Sequence, residues 1–566
     1  MDSKQQQDFV QLSLDRLGKL KQIRSPWESL WQDCTDYVNP RRGDFNATRS
    51  QGDRTRYDRV YDSTAPLANE QLAAGLHGYL TAPSETWFGL SIERNDSENE
   101  PVLTWLQTVV EIMFKEVFHS PNTNFGSMIH ELYLDLGSYG TGVMYVEDRP
   151  GKPINFKTFH LAECYIAENA EGVVDTLYRQ YKMTGRQILQ LYGKTKVLPD
   201  KFKELVYKEP HKEYTIVHVV EPRDTFNPQS KLAKDMPWLS GYVLEEEKLV
   251  LEMGGFNEFP FMSPRWTKTA GEVYGRSPAM TALPDIKMVN EMSKTVIKAA
   301  QKATDPPLMV PDDGFMLPLR TIPGGLNYYR SGTQDTVKPL VEGVRPDIGL
   351  DFIESRRQHI LKTFHVDWMQ MREGPTMTAT EVLQRQEERM RLMGPMVGRL
   401  QFELLGPMID RVFAILMRRK MLPPAPQAIQ GRNMRIDYVS PVARAQKTQQ
   451  LFSFTRLLES IIPLANIKPE VFDNLNADGT LRWAHKLLDA PMETILSTEE
   501  VAKMREGRAQ QQKDAADLVR GRELAATAKD AANAAATMPE GANATPPNPG
   551  VDQLPEQQVP PGMVPQ

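Results

Sequence analysis

The segment Gly271–Gly314 constrains this chain more than any other, because it predicts one long helix with a firm stop at each end. The helix is entered across Pro278–Pro284, where proline is tolerated because the first helical N–H groups have no partner in any case. It is closed by Asp305–Pro307, since a Pro-Pro pair cannot continue a helix and also forces the preceding residue out of the α region. The roughly 20–25 residues between these stops would span about 30–35 Å at 1.5 Å per residue.

Two unlike sides run along this predicted helix. Apolar residues recur at steps of three and four and form a narrow stripe: Ile286, Val289, Met292, Val296, Ala300 and Ala303. Charged residues recur at the same spacing on another side: Lys287, Glu291, Lys294, Lys298 and Lys302. A thin stripe of slim side chains suits packing against one or two neighbouring helices. On the pattern alone, an ordinary surface helix with a solvated lysine side is the simpler interpretation.

The chain after this helix predicts a hairpin that carries a small module at its tip. Between Pro306 and Arg345 proline and glycine are dense and separate short apolar runs, which favours strands and turns over helix. A second helix is predicted from near Asp347 to about His365. Its apolar face comprises Leu350, Ile353, Ile360 and Phe364.

A loop and a long helix are predicted next. Thr378 and Glu381 form a capping box, so Gln370–Met377 is predicted to be a loop that leads into a new helix. This helix should run from Thr380 to Leu422, with a kink at each of two internal Gly-Pro pairs, Gly394-Pro395 and Gly406-Pro407.

The region before Pro278 mixes helices and strands and predicts an α+β domain. The predicted helices are Phe9–Leu20, Ser25–Val38, Ala65–Tyr79, Pro101–Phe118 and Phe125–Tyr139. Short β-branched or aromatic runs predict the strands Gly142–Val146, Ile154–Thr158, Val173–Tyr181, Tyr214–Glu221, Gly241–Leu244 and Lys248–Met253.

An arginine-rich connection precedes the helix at Ala65. Its arginines are Arg41, Arg42, Arg49, Arg54, Arg56 and Arg59, interspersed with Asp44, Asp53 and Asp58. Contact with DNA or with a partner subunit is one interpretation. A solvated or ion-paired loop is the other, and the interspersed aspartates favour it.

The C-terminal quarter is predicted to be helical and then disordered. Helices are predicted at Ala443–Ile462, near Leu481–Leu488, and from the capping box at Ser497 to about Thr537. The last of these is rich in alanine, with high helix propensity but little bulk to pack. Met538–Gln566 holds eight prolines without apolar periodicity, which indicates disorder.

Composition excludes several classes of function. The formal net charge is −6, whereas a protein that grips nucleic acid through many phosphates usually carries a basic surplus. The two cysteines, Cys34 and Cys164, cannot build a disulfide framework or a cysteine zinc site and are expected to be buried. The N-terminus lacks a signal-peptide pattern, and no run reaches the length of a membrane span, so no membrane association is expected.

Motifs that could carry chemistry fail on inspection, so we expect no enzyme, no cofactor and no metal. Gly193-Lys194-Thr195 would end a phosphate-binding loop, but Ile188 stands where such a loop needs glycine, and Gly193 is predicted to stop a helix. Gly137–Gly142 lacks the third glycine of a dinucleotide fingerprint and is predicted to turn a helix into a strand. Asp312-Asp313 could bind a metal ion, but the flanking proline and glycine favour a turn.

Four blocks resemble the head-to-tail connector, or portal, proteins of short-tailed phages. They are WESLWQDCTDYVNPRRGDF (Trp27–Phe45), YDSTAPLANEQLAAGLHGYLTAPSETWFGL (Tyr61–Leu90), YGRSPAMTALPDIKMVNEMSKTVIKAAQKATDPPLMVPDDG (Tyr274–Gly314) and MTATEVLQRQEERMRLMGPMVGRLQFELLGPMIDR (Met377–Arg411). Each block alone is weak, but together they stand in the order of that family and cover about Trp27 to Arg419. The resemblance implies a predominantly helical α+β subunit with an α/β wing, a two-helix stem, a small β-containing clip and a helical crown.

The resemblance also implies a division of the chain. The expected parts are a wing (1–277), a first stem helix (278–305), a clip (306–345), a second stem helix (346–366), a channel loop (367–379), a long kinked wing helix with its return (380–440), a helical crown or barrel (441–537) and a disordered tail (538–566). Residues expected near DNA are Lys287, Glu291, Lys294, Lys298, Lys302, Met369, Met371 and Arg372. Residues expected to dock partners at the clip are Asp312, Asp313, Arg320 and Arg330.

Such a subunit is expected to form a dodecameric ring at one capsid vertex, through which double-stranded DNA is packaged and ejected. The implied partners are the large subunit of the terminase, the major capsid and scaffolding proteins, and a tail adaptor, with assembly in the host cytoplasm. Two alternatives stay open: another structural adaptor of the virion, in the tail or scaffold and without a DNA channel, and an enzyme of DNA packaging. The failed phosphate loop argues against the enzyme. A loop packed on its own subunit by Met369, Met371 and Met377 is the alternative to a channel loop.

Overall fold

The computed structural model forms two compact units, Met1–Asp489 and Ala490–Gln566. The structure describes residues 3–46, 53, 57–92, 100–149, 151–193, 198–227, 230, 232–304, 308–309, 338–339, 347–369, 393–429, 434–438, 450–451, 453–461, 476–487, 495–496 and 498–536. Mixed helices and small antiparallel sheets make up the first unit, and the expected α+β, predominantly helical class is confirmed.

Helices and strands follow one another along the chain in a mixed order. The α-helices are α1 (Ser3–Tyr37), α2 (Thr64–Leu80), α3 (Glu100–Met113), α4 (Phe125–Tyr139), α5 (Gly185–Tyr192), α6 (Asp200–Lys208), α7 (Pro278–Thr304), α8 (Asp347–Thr363), α9 (Val366–Met369), α10 (Gly406–Arg418), α11 (Ala477–Leu487) and α12 (Thr498–Ala536). The strands are β1 (Phe88–Ile92), β2 (Val143–Glu147), β3 (Asn155–Phe159), β4 (Cys164–Glu168), β5 (Val174–Thr184), β6 (Glu213–Pro222), β7 (Trp238–Leu244), β8 (Leu249–Phe256), β9 (Phe261–Met262), β10 (Leu308–Met309), β11 (Lys338–Pro339) and β12 (Met434–Tyr438). Two π-helices, Phe114–Phe118 and Gln401–Leu405, also occur.

Helix α1 is one continuous helix, so the prediction of two helices over Phe9–Leu20 and Ser25–Val38 was wrong. Pro26 lies inside it. The two halves of α1 pack in different hydrophobic clusters. The first half packs Phe9 and Leu17 on the five-stranded sheet, while the second half places Trp31 in the main core. Each half therefore has its own apolar pattern, which is why the sequence resembles two helices.

An antiparallel sheet in the order β4-β5-β6-β7-β8 is covered on both faces. Alternate residues of β6 face opposite ways: Ile216 packs with the helices α5 and α6, whereas Val217 and Val219 pack with α1. Because both faces are buried, β6 is buried along most of its length. The sheet thereby fixes the position of α1 relative to the rest of the unit.

Helix α4 turns sharply into β2 at Gly140, as the glycine-rich sequence predicted. Gly140 has φ +74° and caps α4 by donating its N–H to the carbonyl of Leu136. Strand β2 then pairs with β3 on one side and β9 on the other. Gly193 likewise ends α5, with its N–H on the carbonyl of Leu189, so its interpretation as a helix stop is confirmed.

The six predicted strands are all present, each shifted at its ends by a few residues. Four other strands were not predicted from the sequence: β4, the two-residue β9, and the paired strands β1 and β12. Strand β1 pairs antiparallel with β12 in a register that sets Phe88 opposite Tyr438. These short strands depend on partners far along the chain, which local patterns do not reveal.

Helices α7 and α8 have the lengths that the proline stops and the apolar spacing predicted. Between them, β10 and β11 pair antiparallel for two residues, so the chain leaves and returns at one point. Residues 310–337 and 340–346, which hold most of the predicted clip, lie outside the described residues. The loop was predicted from residue 367, but Val366–Met369 is helical, and residues 370–379 lie outside the described residues.

Residues 393–400 are helical and continue through the π-helix Gln401–Leu405 into α10. Pro407 has no N–H to donate, and the preceding Gly406 donates to the carbonyl of Gln401, five residues back. The predicted disturbance at this Gly-Pro pair is thus a π-helix. The helix ends at Arg418 rather than at Leu422, since Lys420 adopts φ +54° and closes a left-handed C-terminal turn.

The C-terminal part is helical where the structure describes it. Residues 453–461 are helical, within the predicted helix Ala443–Ile462, and α11 matches the helix predicted near Leu481–Leu488. In the second unit, α12 begins after the capping box predicted at Ser497 and runs for 39 residues. The tail from Met538 lies outside the described residues.

Candidate functional site

The hairpin of α7 and α8 carries most of the residues predicted near DNA. Its base packs on the rest of the first unit, which we call the body. Ser277 starts α7: its hydroxyl accepts a hydrogen bond from the backbone N–H of Met280 at 3.0 Å and donates to the carbonyl of Ser138 at 2.8 Å. The first of these is the bond that an N-cap side chain makes to the third helical residue. The hairpin is therefore tied to the end of α4.

Burial along the apolar stripe of α7 fades with distance from the body. Ile286 and Val289 are 5% and 1% exposed, Met292 and Val296 are half-buried, and Ala300 is exposed. Ile353 and Ile360 of α8, and Phe364 just after it, are buried, whereas Leu350 on the same predicted face is 52% exposed. The far half of the hairpin thus has little cover from the part of the chain that the structure describes.

The predicted charged side of α7 exists, but its members differ in what they contact. Lys287 pairs with Asp33 of α1 at 2.7 Å and lies over the ring of Tyr37. Lys294 pairs with Glu291 at 3.0 Å, a contact that raises the pKa of Lys294. Two of the four lysines on this side are therefore paired with a carboxylate within the subunit.

Lys298 and Lys302 are exposed, and neither has an acidic partner among the residues that the structure describes. Both lie beyond the part of α7 that contacts the body. They are the cations of the predicted set that remain available to a phosphate or to another carboxylate.

The two helices are joined to each other, and to the body, by charged groups. Asp285 accepts a hydrogen bond from His359 at 2.7 Å and pairs with Arg356 at 3.4 Å. Arg357 reaches Asp62, just before α2, at 2.7 Å. Burial alone would raise the pKa of Asp62, but hydrogen bonds from Thr64 and from Arg357 together lower it.

The arginine-rich connection is fastened to α7 through Asn290. The Asn290 amide donates to the carbonyl of Arg59 at 2.8 Å and accepts from the N–H of Tyr61 at 2.7 Å. Asn290 is 4% exposed, so this pair of bonds is shielded from water. The connection thus reaches the hairpin at the level where α7 leaves the body.

The arginines of this connection that the structure describes are ion-paired, as the favoured interpretation required. Arg42 makes a two-pronged contact with Asp135, at 2.8 and 2.7 Å. Burial raises the pKa of Asp135 to about 6, and Arg42 opposes that rise. Arg41 pairs with Glu70 and Arg59 with Asp36. Arg49, Arg54 and Arg56 lie outside the described residues.

Several predicted site residues fall outside what the structure describes. They are Met371, Arg372, Asp312, Asp313, Arg320 and Arg330. Met369 ends α9, and only its backbone is described. Their roles stay predictions.

A buried ionic cluster that the sequence did not reveal joins β4, the segment after β9 and the π-helix before α10. Arg265, 1% exposed, contacts Glu403 of the π-helix and Glu168 at the end of β4, and Lys268 also pairs with Glu168. No local sequence signal could have found it, because its members are far apart along the chain.

The described residues give no sign of a catalytic or metal centre. No group of three or more histidine, cysteine, aspartate or glutamate side chains within them could hold a metal ion. Cys34 and Cys164 are both buried as expected, and burial raises the pKa of each thiol to about 12. Among the described helices, none combines the length and the apolar character that a membrane crossing requires.

Comparison with known proteins places the chain in a family. The model of the bacteriophage head to tail connecting proteins matches residues 11–496, so the chain belongs to that family of virion structural proteins and is not an enzyme. The chain is 32% identical over 518 residues to a probable portal protein of Bordetella phage BPP-1, which covers 89% of this chain and 92% of that protein. It is also 32% identical over 529 residues to the portal protein of Salmonella phage epsilon15, covering 91% and 94%.

Among solved structures, the chain resembles one from the virion of a native gene transfer agent particle. The TM-score is 0.36 at 11% identity, over 72% of this chain and 91% of that chain.

Proposed function

We propose that this chain is the portal subunit of a short-tailed phage. In this role it forms a ring, dodecameric as the family resemblance implies, at one vertex of the capsid. Double-stranded DNA enters and leaves through the centre of the ring. The observation that carries the proposal is the match to two proteins named as portals over about nine-tenths of all three chains.

The hairpin of α7 and α8 suits the stem of such a ring. Asp285 lies on the side of α7 that packs on α8, and the lysine side lies on the opposite side of the same helix. If α8 is outside and α7 inside, the lysine side borders the channel. Lys298 and Lys302 then supply the cations nearest the DNA, together with Arg372 and the methionines Met369 and Met371 of the predicted channel loop.

The electrostatics of the hairpin suit a channel through which a polyanion slides. Each phosphate that a lysine pairs with releases counterions and adds affinity, so many unpaired cations would hold DNA in place. Lys287 and Lys294 are already paired with Asp33 and Glu291. The net charge of −6 likewise disfavours tight gripping. The channel therefore guides DNA, and the force for packaging comes from a separate motor.

The remaining partners follow from the same proposal. The clip, with Asp312, Asp313, Arg320 and Arg330, docks the large terminase subunit during packaging and a tail adaptor afterwards. The wing meets the major capsid and scaffolding proteins, and assembly takes place in the host cytoplasm. The helices of the segment 441–537, α12 among them, form the crown. No cofactor is required for any of these roles.

Electron microscopy of the purified full chain, classified for rotational symmetry, tests the proposal. We expect rings with an open centre and one dominant symmetry. Filaments or discs without a central opening would contradict the portal role and favour a tail or scaffold adaptor. Addition of double-stranded DNA should leave the rings intact, and turnover of ATP by the chain itself would also count against the proposal.

A further inference from the structure

Helices α2 and α4 pack antiparallel, and one histidine of each meets the other across their contact. Asn69 of α2 donates to the carbonyl of Leu134 and to the hydroxyl of Ser138, which aligns the two helices. About two turns farther along α2, His77 meets His130 of α4, with the centroids of their imidazole rings 6.5 Å apart. Both histidines are half-buried, so neither is sealed inside the core.

A hydrogen bond with Thr81 orients the imidazole of His77. The Thr81 hydroxyl lies 2.9 Å from Nδ1 of His77 and 3.3 Å from the hydroxyl of Tyr133, and it donates weakly to the backbone carbonyl of His77 at 3.5 Å. Because this hydroxyl has one hydrogen and donates it to the carbonyl, it accepts a hydrogen bond from Nδ1–H. His77 therefore carries its proton on Nδ1 and presents the lone pair of Nε2.

The remaining ring nitrogens of this pair are suited to bind a metal ion. Burial, with a smaller contribution from His130, lowers the pKa of His77 below its usual 6.5, so this imidazole is neutral at pH 7. Within the part of the chain that the structure describes, neither Nε2 of His77 nor a ring nitrogen of His130 has a hydrogen-bond partner. A histidine that binds a metal almost always donates its other N–H to a neighbouring group, as His77 does to Thr81.

We propose that His77 and His130 together bind a divalent cation of the late first-row transition metals, such as Zn²⁺, between α2 and α4. A cation about 2.0–2.1 Å from one nitrogen of each imidazole sets the ring centroids roughly 5–6.5 Å apart, according to the angle at the metal. The observed separation lies at the upper end of that range. Rotation of the two side chains therefore closes the site without movement of the helices.

This site is simpler than a structural or catalytic metal centre. Such centres have three or four protein ligands, a number that no group of described histidine, cysteine and acidic side chains reaches. With two protein ligands, water completes the coordination, and binding is reversible. The cation joins α2 to α4 only in the folded chain, so it stabilises the first unit by an amount that grows with the ratio of free cation to Kd.

Titration of the full chain with Zn²⁺, after a chelator has removed bound metal, tests the proposal. Isothermal titration calorimetry should show one saturable site per chain, and thermal unfolding should shift to higher temperature as Zn²⁺ is added. Mg²⁺ should produce neither effect, since it prefers oxygen ligands. Absence of saturable Zn²⁺ binding up to about 1 mM would overturn the proposal.

His77→Gln and His130→Gln each remove one ligand. Either substitution should weaken Zn²⁺ binding at least about tenfold, since loss of even an outer partner of a metal ligand costs about 10–100-fold. The two losses should not add in the double variant, because one imidazole alone cannot bridge the helices. His211→Gln, at an exposed histidine outside the pair, is the matched control and should keep the wild-type affinity. Binding that survives in either single variant would overturn the proposal.

Chemical modification of the unsubstituted chain gives a second measurement that does not depend on the folding of a variant. Diethyl pyrocarbonate modifies accessible imidazole nitrogens, and mass spectrometry locates the modified residues. Zn²⁺ should protect His77 and His130 and should leave His211 open to modification. Equal modification of His77 and His130 with and without Zn²⁺ would contradict the site.

Discussion

Arg265 meets Glu403 with three separate N–H groups: its backbone N at 2.8 Å, its Nε at 3.1 Å and its Nη2 at 2.7 Å. The two residues join the segment after β9 to the π-helix that precedes α10. Since the Arg265 side chain is almost fully buried, this cation depends on Glu403 and Glu168 for its stability. The contact fixes the direction in which the long helix leaves the body.

Replacement of Arg265 by methionine should therefore destabilise the first unit by about 3–5 kcal/mol, because it leaves two carboxylates without their buried partner. Urea unfolding of wild type and variant measures the difference. Arg16→Met is the matched control: Arg16 pairs with Glu221 but is half-exposed, so its loss should change the stability by less than about 1 kcal/mol. Equal losses of stability in the two variants would show that burial of the arginine does not determine how much its ion pair contributes.

Gly140 and Gly151 allow a test of close packing at nearly equal backbone geometry. Their φ angles are +74° and +71°, but a Cβ on Gly140 would lie 2.5 Å from the carbonyl carbon of Arg276, whereas Gly151 has no atom within 4 Å of that position. Gly151→Ala should cost about 1–2 kcal/mol from the left-handed conformation alone. Gly140→Ala should cost about 4 kcal/mol or more, since backbone must also move. Thermal unfolding of both variants gives the comparison.

His218 should make the stability of the first unit depend on pH. Burial, with a smaller contribution from Arg179, lowers its pKa from the usual 6.5 to about 3. Between pH 6.5 and 3 the unfolded chain therefore binds a proton at His218 that the folded chain does not bind. His218 does not lower the free energy of unfolding above about pH 6.5, but it lowers that free energy progressively as the pH falls toward 3. The slope is at most about 1.4 kcal/mol per pH unit.

His218→Phe keeps a ring stacked on Tyr242 but removes the titrating group. The stability advantage of wild type over this variant should shrink as the pH falls from 7 to 4, as measured by urea unfolding at each pH. A constant difference between wild type and His218→Phe would show that His218 does not carry the effect.

Deletion of Gln370–Met377 should leave ring assembly intact and impair the packaging or retention of DNA, because we propose that this segment contacts DNA and not the neighbouring subunit. Electron microscopy reports the rings, and protection of DNA from nuclease in assembled particles reports retention. Arg372→Glu should weaken retention in the same direction without shortening the loop. Loss of rings on deletion would make the segment an element of assembly instead.

Local rules predicted the elements that local chemistry determines. The helix α7 follows from Pro278, Pro306 and the spacing of Ile286 and Val289, and all three could be interpreted without knowledge of the rest of the chain. Gly140 was likewise recognisable as a turn. The ion-paired state of Arg42 was favoured from nearby aspartates, although its partner, Asp135, lies on α4 and not in the connection.

Long-range relationships could not be predicted in this way. Strand β12 is short and polar at alternate positions, and it exists because β1, far earlier in the chain, supplies its hydrogen bonds. The contact of Arg265 with Glu403 joins residues 138 positions apart. The two helices predicted over Phe9–Leu20 and Ser25–Val38 are one, because Leu17 and Trp31 pack in two separate cores while α1 runs unbroken between them.

Because burial of α7 decreases along the helix, the described residues hold the hairpin mainly at its base. Asn290, Asp62 and Asp33 hold it at one end, and from Ile297 outward the described residues offer it little support. A sideways load at the far end is therefore multiplied at the root, where hydrogen bonds and ion pairs must resist it.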